Sequence, residues 1–275
     1  MSVMNAKQAR LADFIEAAAF RDLYAAAPRQ LAASLGLATK EIAGATLLLA
    51  PGLPQTMFNR VIGLGVERPA SEADLDAVLA AYGPDRRSTY WIHWTPTAEP
   101  ADLPRWLEAR GFTLAARRSW AKMIRGPEPP PVFGTTLDVR TAAVEEQTAV
   151  AEAICASFGM PSAFVPWIAA LAQRSAWRMF GAFDGSAAVG GAYLYIDRGT
   201  GWLGLGGVRP DYRNRGAHRA LMASRIRAAI AAGCTQIVTE TGEPVGDEPN
   251  PSLANMQRSG FVRVCSRLNY ASPPA

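Results

Sequence analysis

Hydrophobic residues in the second half of the chain follow two periods, one typical of strands and one typical of helices. Strands are predicted at Leu137–Arg140, Trp177–Phe183, Ala187–Ile196, Trp202–Val208, Gln236–Thr239 and Phe261–Asn269. Helices are predicted at Val144–Phe158, Ser162–Gln173, Gly216–Ala232 and Ser252–Ser259. Because the strands and helices alternate, the pattern is typical of an α/β protein built on a mixed sheet.

The first half has the same kinds of element in a looser pattern. Helices are predicted at Met4–Ala26 and Glu72–Tyr82, and strands at Ala45–Ala50, Arg60–Gly65 and Ser88–His93. A further helix, a glycine and a strand close this half.

Proline divides the chain near its middle. Gly126–Gly134 reads GPEPPPVFG and has four prolines in nine residues, which excludes both a helix and an interior strand. We expect a linker over residues 126–134, one domain over 1–125 and a second over 135–275. Both domains would have an ordinary size.

The two predicted domains end alike. Trp106–Trp120 (WLEARGFTLAARRSW) and Asn255–Asn269 (NMQRSGFVRVCSRLN) each read as a helix, a glycine, a phenylalanine and a strand. Gly111 and Gly260 suit the left-handed conformation that ends many helices. The similarity predicts an internal duplication, although helix, glycine and strand also follow one another by chance in α/β proteins.

Composition narrows the class of protein. With 49% hydrophobic and 19% charged residues in a chain of 275, the sequence is that of a folded protein and not of a disordered one. No apolar run approaches the roughly 20 residues of a membrane span, and charges interrupt the region where a signal peptide needs an apolar core. We therefore expect a cytoplasmic protein with no membrane partner.

Cysteine and histidine are too few for a metal site or a disulfide framework. The three cysteines lie far apart and the chain has two histidines, so we expect no metal. Only three of the 28 cationic residues are lysine and the pI is about 9.1, which raises nucleic-acid binding as a hypothesis. Acidic residues are interspersed and no nucleic-acid motif is present, so we expect no such partner.

The most informative segment is Gly206–Leu221, which reads GGVRPDYRNRGAHRAL. A strand runs into Val208, Pro210 turns the chain, and a long helix begins at Gly216. A helix N-terminus attracts anions through its unpaired N–H groups and its dipole, and glycine lets a phosphate approach the backbone closely. The segment predicts a phosphate or pyrophosphate site.

This segment resembles the GCN5-related N-acetyltransferase (GNAT) superfamily. There, a strand ending in an apolar-x-Pro turn leads to R-x-x-G-x-G/A at the head of a helix, and a helix that closes in Gly-Phe follows. Here the loop is Arg213–His218, and Gly260 with Phe261 closes a predicted helix 44 residues past Gly216. The resemblance covers roughly Leu137–Asn269.

The resemblance implies tandem GNAT-like domains, each a splayed mixed β-sheet flanked by helices. It implies acetyl-CoA in a gap between the fourth and fifth strands of the second domain, with the pyrophosphate on the loop and the pantetheine beside the fourth strand. The residues implied to bind it are Gly206, Gly207, Val208, Arg213, Asn214, Arg215, Gly216, Ala217, His218 and Arg219, with Asn250 and Asn255 as candidates for a pantetheine contact. We identify no R-x-x-G-x-G match in the first half, so we expect a degenerate copy that binds no cofactor.

Two positions depart from the family pattern. His218 stands where the family usually has Gly or Ala, so its ring must turn away from the pyrophosphate or donate a hydrogen bond to it. Met256 occupies the position that often carries a catalytic tyrosine, and a methionine has no proton to give. The family's general acid therefore does not carry over to this chain.

Acetyl transfer to an amine requires that a proton leave the ammonium and that the thioester carbonyl be polarised. Glu240 is our first candidate for the base because it ends the predicted fifth strand, and Glu243 is the second. Either could instead be an exposed loop carboxylate, with water relaying the proton. The backbone N–H of Val208 or its neighbour is the candidate for carbonyl polarisation.

The resulting hypothesis is an N-acetyltransferase that moves an acetyl group from acetyl-CoA to a primary amine by direct attack in a ternary complex. We expect a small-molecule acceptor, with a protein amine as the alternative. The alternative function is an acyl-CoA-binding pseudoenzyme with a regulatory or partner-binding role, which Met256 and the degenerate first half motivate.

Overall fold

The computed structural model describes residues 3–83 and 89–274, which form one mixed sheet with helices on both faces. The strands are β1 (Ala38–Ile42), β2 (Ala45–Leu49), β3 (Arg60–Ile62), β4 (Trp91–Trp94), β5 (Thr113–Arg125), β6 (Asp138–Thr141), β7 (Trp177–Asp184), β8 (Ala187–Asp197), β9 (Thr200–Val208), β10 (Gln236–Gly242) and β11 (Val262–Ala271). The α-helices are α1 (Val3–Ala25), α2 (Arg29–Leu35), α3 (Glu72–Tyr82), α4 (Leu103–Ala109), α5 (Gln147–Phe158), α6 (Val165–Ala170), α7 (Ala217–Ala231) and α8 (Pro251–Arg258). The predicted mixed α/β fold is confirmed.

The main differences from the predicted elements have local causes. The helix predicted at Ser162–Gln173 is broken into a 3₁₀ turn, α6 and a second 3₁₀ turn, because Pro166 lacks an N–H and suits only the start of a helix. Both α2, which buries no residue, and β1, which is mostly exposed, lack an apolar period that could predict them. The strand predicted from Ser88 begins at Trp91, and Ser88 itself lies outside the described residues.

The two halves of the chain exchange their closing strands. The order in the sheet is β1-β2-β3-β4-β11-β5-β10-β9-β8-β7-β6. Thus β5 of the first half lies between β10 and β11 of the second, and β11 lies between β4 and β5 of the first. All of these pairs are antiparallel. The sheet is therefore continuous past residues 126–134, and the halves cannot separate without breaking three ladders; the domain limits stay a prediction.

The repeated endings found in the sequence are these two closing strands. Gly111 follows α4 with φ 79°, and Gly260 follows α8 with φ 85°. Both glycines thus adopt the left-handed conformation that the sequence predicts. The strands after them, β5 and β11, pair with each other.

Three clusters of apolar side chains cover the sheet. Helices α1, α5 and α6 pack on one face. In the second half, α7 and α8 pack on the opposite face. In the first half, α3 and α4 contact the side chains of Leu47 and Val61, whereas α1 lies on the side of Leu48 and Ile62. Since successive strand residues point to opposite faces, α1 and α3 cover opposite faces of the sheet.

Candidate active site

The sheet opens between β9 and β10. These parallel strands pair only at Gln236 with Thr200, Ile237 with Gly201 and Val238 with Trp202. Beyond that point β10 continues to pair with β5 and the end of β9 continues to pair with β8. The two strands therefore diverge, which is the gap that the family resemblance implies.

A β-bulge shapes the β9 side of the gap. The pairing of β8 with β9 shifts between Gly191 and Tyr193, and Leu205 has φ 51°. A positive φ is strained for a residue with a branched side chain. Bulges re-aim backbone groups beside active sites, and this one lies at the mouth of the gap.

One amide of β9 points into the gap. The Arg209 N–H donates to the Val189 carbonyl of β8 at 2.9 Å. Because successive amides of a regular strand point to opposite edges, the N–H group of Val208 points away from β8. It is available to an extended ligand.

The predicted phosphate loop lies at the start of α7. Asn214 has φ 64° and Gly216, the residue before the helix, has φ 83°. A Cβ on Gly216 would lie 2.4 Å from the Gly134 carbonyl oxygen, and the Thr135 hydroxyl donates to the Arg215 carbonyl at 2.7 Å. The proline-rich linker thus holds the loop in place, while the first N–H groups of α7, from Ala217 on, have no partner within the helix.

The three arginines of the loop have different surroundings. Arg215 pairs with Asp184 at 2.9 Å. Arg219 places its Cζ 5.3 Å from the centre of the Phe133 ring. Arg213 is exposed and, within residues 3–83 and 89–274, forms no ion pair. Arg213 is therefore the cation of this loop most available to an anion.

His218 does not cross the loop. The Asn255 amide of α8 donates to its Nδ1 at 3.3 Å, and its ring lines the gap between β9 and β10. Burial, and to a lesser degree Arg225, lower the pKa of His218 to about 4. The ring is therefore neutral at pH 7, with its proton on Nε2.

Asn250 has a structural role. Its side chain accepts a hydrogen bond from the Leu253 N–H at 2.9 Å and so caps α8. Its amide also donates to the Gly242 carbonyl at the end of β10. Both polar atoms are thus engaged, and of the two predicted pantetheine contacts only Asn255 lies beside a residue that lines the gap.

The gap between β9 and β10 contains a cavity of about 180 Å³. On the side of α7 and α8 it is bounded by His218, Met222, Arg225 and Met256. On the other side it has six apolar or aromatic side chains: Phe20, Met57, Trp120, Phe158, Met160 and Trp202. Because Phe20, Met57 and Trp120 precede the linker, the first half of the chain builds part of this wall.

Glu240 is the acid in this cavity. Its side chain is 7% exposed, and it accepts hydrogen bonds from Lys122 Nζ at 3.1 Å and from Trp202 Nε1 at 3.0 Å. Burial and the neighbouring Glu16 carboxylate raise the pKa of Glu240, although Lys122 opposes them. A carboxylate with a raised pKa, held at a cavity, is suited to accept a proton.

Glu240 belongs to a buried charge cluster under α1. Its members are three acids and three bases: Asp13, Glu16, Glu240, Arg60, Lys122 and Arg267. Glu16 Oε2 lies 2.6 Å from Lys122 Nζ, and Glu16 Oε1 lies 3.0 Å from Arg60. Burial alone would raise the pKa of Glu16, but Arg267, Lys122 and Arg60 hold it well below its usual range.

Glu243 lies outside the cavity. Arg263 donates to it at 2.6 Å and Ser266 at 2.8 Å, and the Ser119 hydroxyl also bonds to it. These contacts, despite partial burial, lower the pKa of Glu243. Glu243 therefore joins the end of β10 to β5 and β11, and it is poorly placed to be a base.

Most of the charge cluster, and one motif in the first half, were not predicted from the sequence. Arg60–Gly65 spells RVIGLG, which fits R-x-x-G-x-G, but Arg60 begins β3, is buried and pairs with Glu16, and α3 starts only at Glu72. The segment is therefore a short strand followed by a turn, and not a phosphate loop. A lysine inside the apolar run of β5 was the available signal for a buried charge at Lys122.

Several other polar groups do not form sites. Tyr193 is buried and donates to the Ile168 carbonyl at 2.7 Å. The three cysteines are buried and unpaired. Among residues 3–83 and 89–274, no cluster of His, Cys, Asp and Glu is suited to a metal, and no helix has the length and apolar content to cross a membrane.

Residues 138–243 match the family model of the acetyltransferase (GNAT) domain. No curated protein sequence matches the chain. Three solved structures share the fold over most of their length.

A GCN5-related N-acetyltransferase from Kribbella flavida is 17% identical, with 90% of this chain and 93% of that chain covered and a TM-score of 0.62. A second, from Sphaerobacter thermophilus, is 18% identical, with 84% and 82% covered and a TM-score of 0.61. A tandem GNAT protein from the clavulanic acid biosynthesis pathway is 12% identical, with 84% and 78% covered and a TM-score of 0.61. Residues 138–243 thus match the acetyltransferase (GNAT) domain, and the chain as a whole shares its fold with GNAT proteins, a tandem GNAT protein among them.

Proposed function

We propose that this protein transfers an acetyl group from acetyl-CoA to a primary amine of a small molecule, by direct attack in a ternary complex. The observation that carries the proposal is the position of Glu240. Its carboxylate lines the cavity at the point where β9 and β10 diverge.

The residues present fit acetyl-CoA. The unpaired amides at the start of α7 and the exposed Arg213 suit the pyrophosphate, as helix N-termini suit anions generally. The edge of β9 that does not pair with β10 suits the extended pantetheine. When bound, acetyl-CoA supplies the thioester that the amine attacks.

Glu240 would take the proton that the amine must lose. The pKa of Glu240 is raised and is therefore closer to neutral pH than the pKa of an exposed carboxylate, as a general base requires. Lys122 and Trp202 hold two sides of the carboxylate and so fix its position. The Val208 N–H, at the open edge of β9, would polarise the thioester carbonyl.

The cavity favours a compact acceptor with an apolar body. Aromatic and methionine side chains dominate the wall opposite α7, and the volume is small. Burying an extended peptide there would leave backbone groups without partners. We therefore propose that the first half, a degenerate GNAT-like copy over residues 1–125, serves as the acceptor wall and binds no coenzyme A.

An acetylation assay tests this function. Release of the coenzyme A thiol would be followed with compact apolar amines, polyamines and a lysine peptide as acceptors. We expect turnover with a compact apolar amine and none with the peptide. Saturable binding of acetyl-CoA without turnover of any amine would instead support the regulatory acyl-CoA binder.

A further inference from the structure

Arg225 is a buried cation to which the described part of the chain offers no acidic partner. It lies on α7 and is 2% exposed. Its Nε donates to the Leu221 carbonyl at 3.2 Å, and one terminal nitrogen donates to the carbonyls of Tyr193 at 3.2 Å and Gly204 at 3.3 Å. Within the described parts of the chain, no carboxylate forms an ion pair with it. Burial of a charge without a counter-charge is costly, so its retention calls for a reason.

One part of that reason is the β-bulge. Tyr193 and Gly204 pair with each other directly beside the register shift between β8 and β9. The guanidinium satisfies both of their carbonyls, which stabilises the bulge. Neutral donors could do the same, so the bulge alone does not require a charge.

The second terminal nitrogen faces the cavity. A Cβ placed on Gly206 would lie 3.0 Å from this nitrogen, and Arg225 lines the gap between β9 and β10. The glycine at position 206 thus leaves the cation open to a ligand beside β9. Burial lowers the pKa of Arg225 to about 9, which leaves the guanidinium mostly charged at pH 7.

Arg225 lies far along α7 from the phosphate loop. At 1.5 Å per residue it is about 14 Å beyond Gly216, with His218 and Met222 between them on the cavity side. If the pyrophosphate of coenzyme A lies at the start of α7, the thiol end of its pantetheine would therefore reach Arg225. Met256, across the cavity, has no proton to give to that end.

We propose that Arg225 is a catalytic residue that stabilises the thiolate of coenzyme A as the amine displaces it. The inference rests on the proposed function. In the step, the amine nitrogen bonds to the acetyl carbon, the carbon–sulfur bond breaks with its electron pair on sulfur, and the amine proton goes to Glu240. The thiolate stays beside the guanidinium until it takes a proton from water, so no general acid is needed.

The test measures the thiol of bound coenzyme A directly. The ultraviolet absorbance of the thiolate is titrated in the complex of the protein with coenzyme A, with desulfo-coenzyme A as the blank. The other titratable or charged groups that face the cavity are His218 on α7, Glu240 on β10 and Arg60 on β3, and they are the same in all variants compared. A nearby cation lowers an acid's pKa by about 1–3 units, so we expect at least a tenfold higher thiolate-to-thiol ratio at pH 7 than in free coenzyme A.

Three variants separate charge from structure. Arg225→Met removes the charge, and Arg225→Gln removes it but keeps a donor for the bulge carbonyls. In both variants the pKa of the bound thiol should return to its value in free coenzyme A. Both should also lower kcat by about 10²-fold or more with little change in KM. Arg225→Lys should keep most of the thiolate and restore part of kcat.

The outcomes distinguish this inference from the proposed function. If the wild-type protein does not bind coenzyme A, the proposed function fails and this inference fails with it. If coenzyme A binds without a change in the pKa of its thiol, or if the neutral variants keep the lowered pKa, the role of Arg225 is overturned while the proposed function stands. The wild-type titration decides the first point even if a variant does not fold.

Discussion

Buried cations lie on both sides of the opening between β9 and β10, in contrasting surroundings. Under α1, the cations of the buried charge cluster are matched by an equal number of carboxylates. Beside α7, the partners of Arg225 among the described residues are all carbonyl oxygens. The comparison separates a paired group, which holds parts of the fold together, from an unpaired one, which is open to a ligand.

The paired group connects the exchanged strands. Glu16 of α1 contacts Arg60 on β3, Lys122 on β5 and Arg267 on β11. Those strands come from both halves of the chain. The cluster therefore joins α1 to the region where the halves exchange their closing strands, and it reaches the cavity only through Glu240 and Arg60.

The largest effect is expected from Glu16→Gln. The change leaves three buried cations facing two carboxylates, and an uncompensated buried charge costs about 3–5 kcal/mol. Denaturant unfolding should show a loss of that size in the free energy of unfolding. As a control, Glu41→Gln breaks the exposed pair with Arg21 and should cost at most about 1 kcal/mol. Equal losses in the two variants would contradict a structural role for the cluster.

Glu240→Gln should lower kcat by about 10²–10⁴-fold, the usual contribution of a general base. Affinity for acetyl-CoA should change little, because the proposed contacts to it come from β9 and α7. Glu243→Gln is the matched control on the same segment, and it should leave kcat within a few-fold. Steady-state rates with any accepted amine measure both, and wild-type turnover in Glu240→Gln would remove this residue from the mechanism.

Gly216→Ala should weaken binding of acetyl-CoA by about tenfold or more, which is about 1.4 kcal/mol. A Cβ there would meet the Gly134 carbonyl at 2.4 Å and would force the loop or the linker to move. Gly199→Ala is the control, since Gly199 also has a positive φ, of 73°, but has open space around it. The affinity of both variants for acetyl-CoA is measured by calorimetric titration. Equal affinities would contradict the assignment of the loop as the pyrophosphate site.

The smallest effect concerns the pH dependence of stability. His218 has a pKa of about 4 in the fold and about 6.5 when unfolded, so the unfolded chain takes up the proton first as pH falls. When the pH is lowered from 6.5 to 5.5, the free energy of unfolding of the wild-type protein should therefore fall by about 1 kcal/mol more than that of the His218→Asn variant. If the free energies of unfolding of the two proteins changed in parallel with pH, His218 would not be buried in its neutral form.

The sequence was most informative where a regular pattern met a family motif. The strands around Val208, the loop at Gly216 and the closing glycines at Gly111 and Gly260 all follow from local periodicity and cap chemistry. Glu240 could be proposed because it ends a predicted strand beside the motif.

The exchange of β5 and β11 could not be predicted. Both strands follow similar helices and glycines, so nothing local decides which half each one joins. The arginines seven residues past the two glycines illustrate this: Arg118 is exposed, whereas Arg267 is buried among carboxylates. Their surroundings depend on strands distant in sequence, and so do those of Glu16 and Arg60.

Isothermal titration of the purified protein with acetyl-CoA, beside coenzyme A, is the decisive measurement for the proposed site. We predict saturable binding of both at one site per chain, because among the described residues a phosphate loop at the start of a helix occurs only in the second half. Two sites per chain would contradict a first half that serves only as the acceptor wall. No binding of either would contradict the assignment of the opening between β9 and β10 as the acetyl-CoA site.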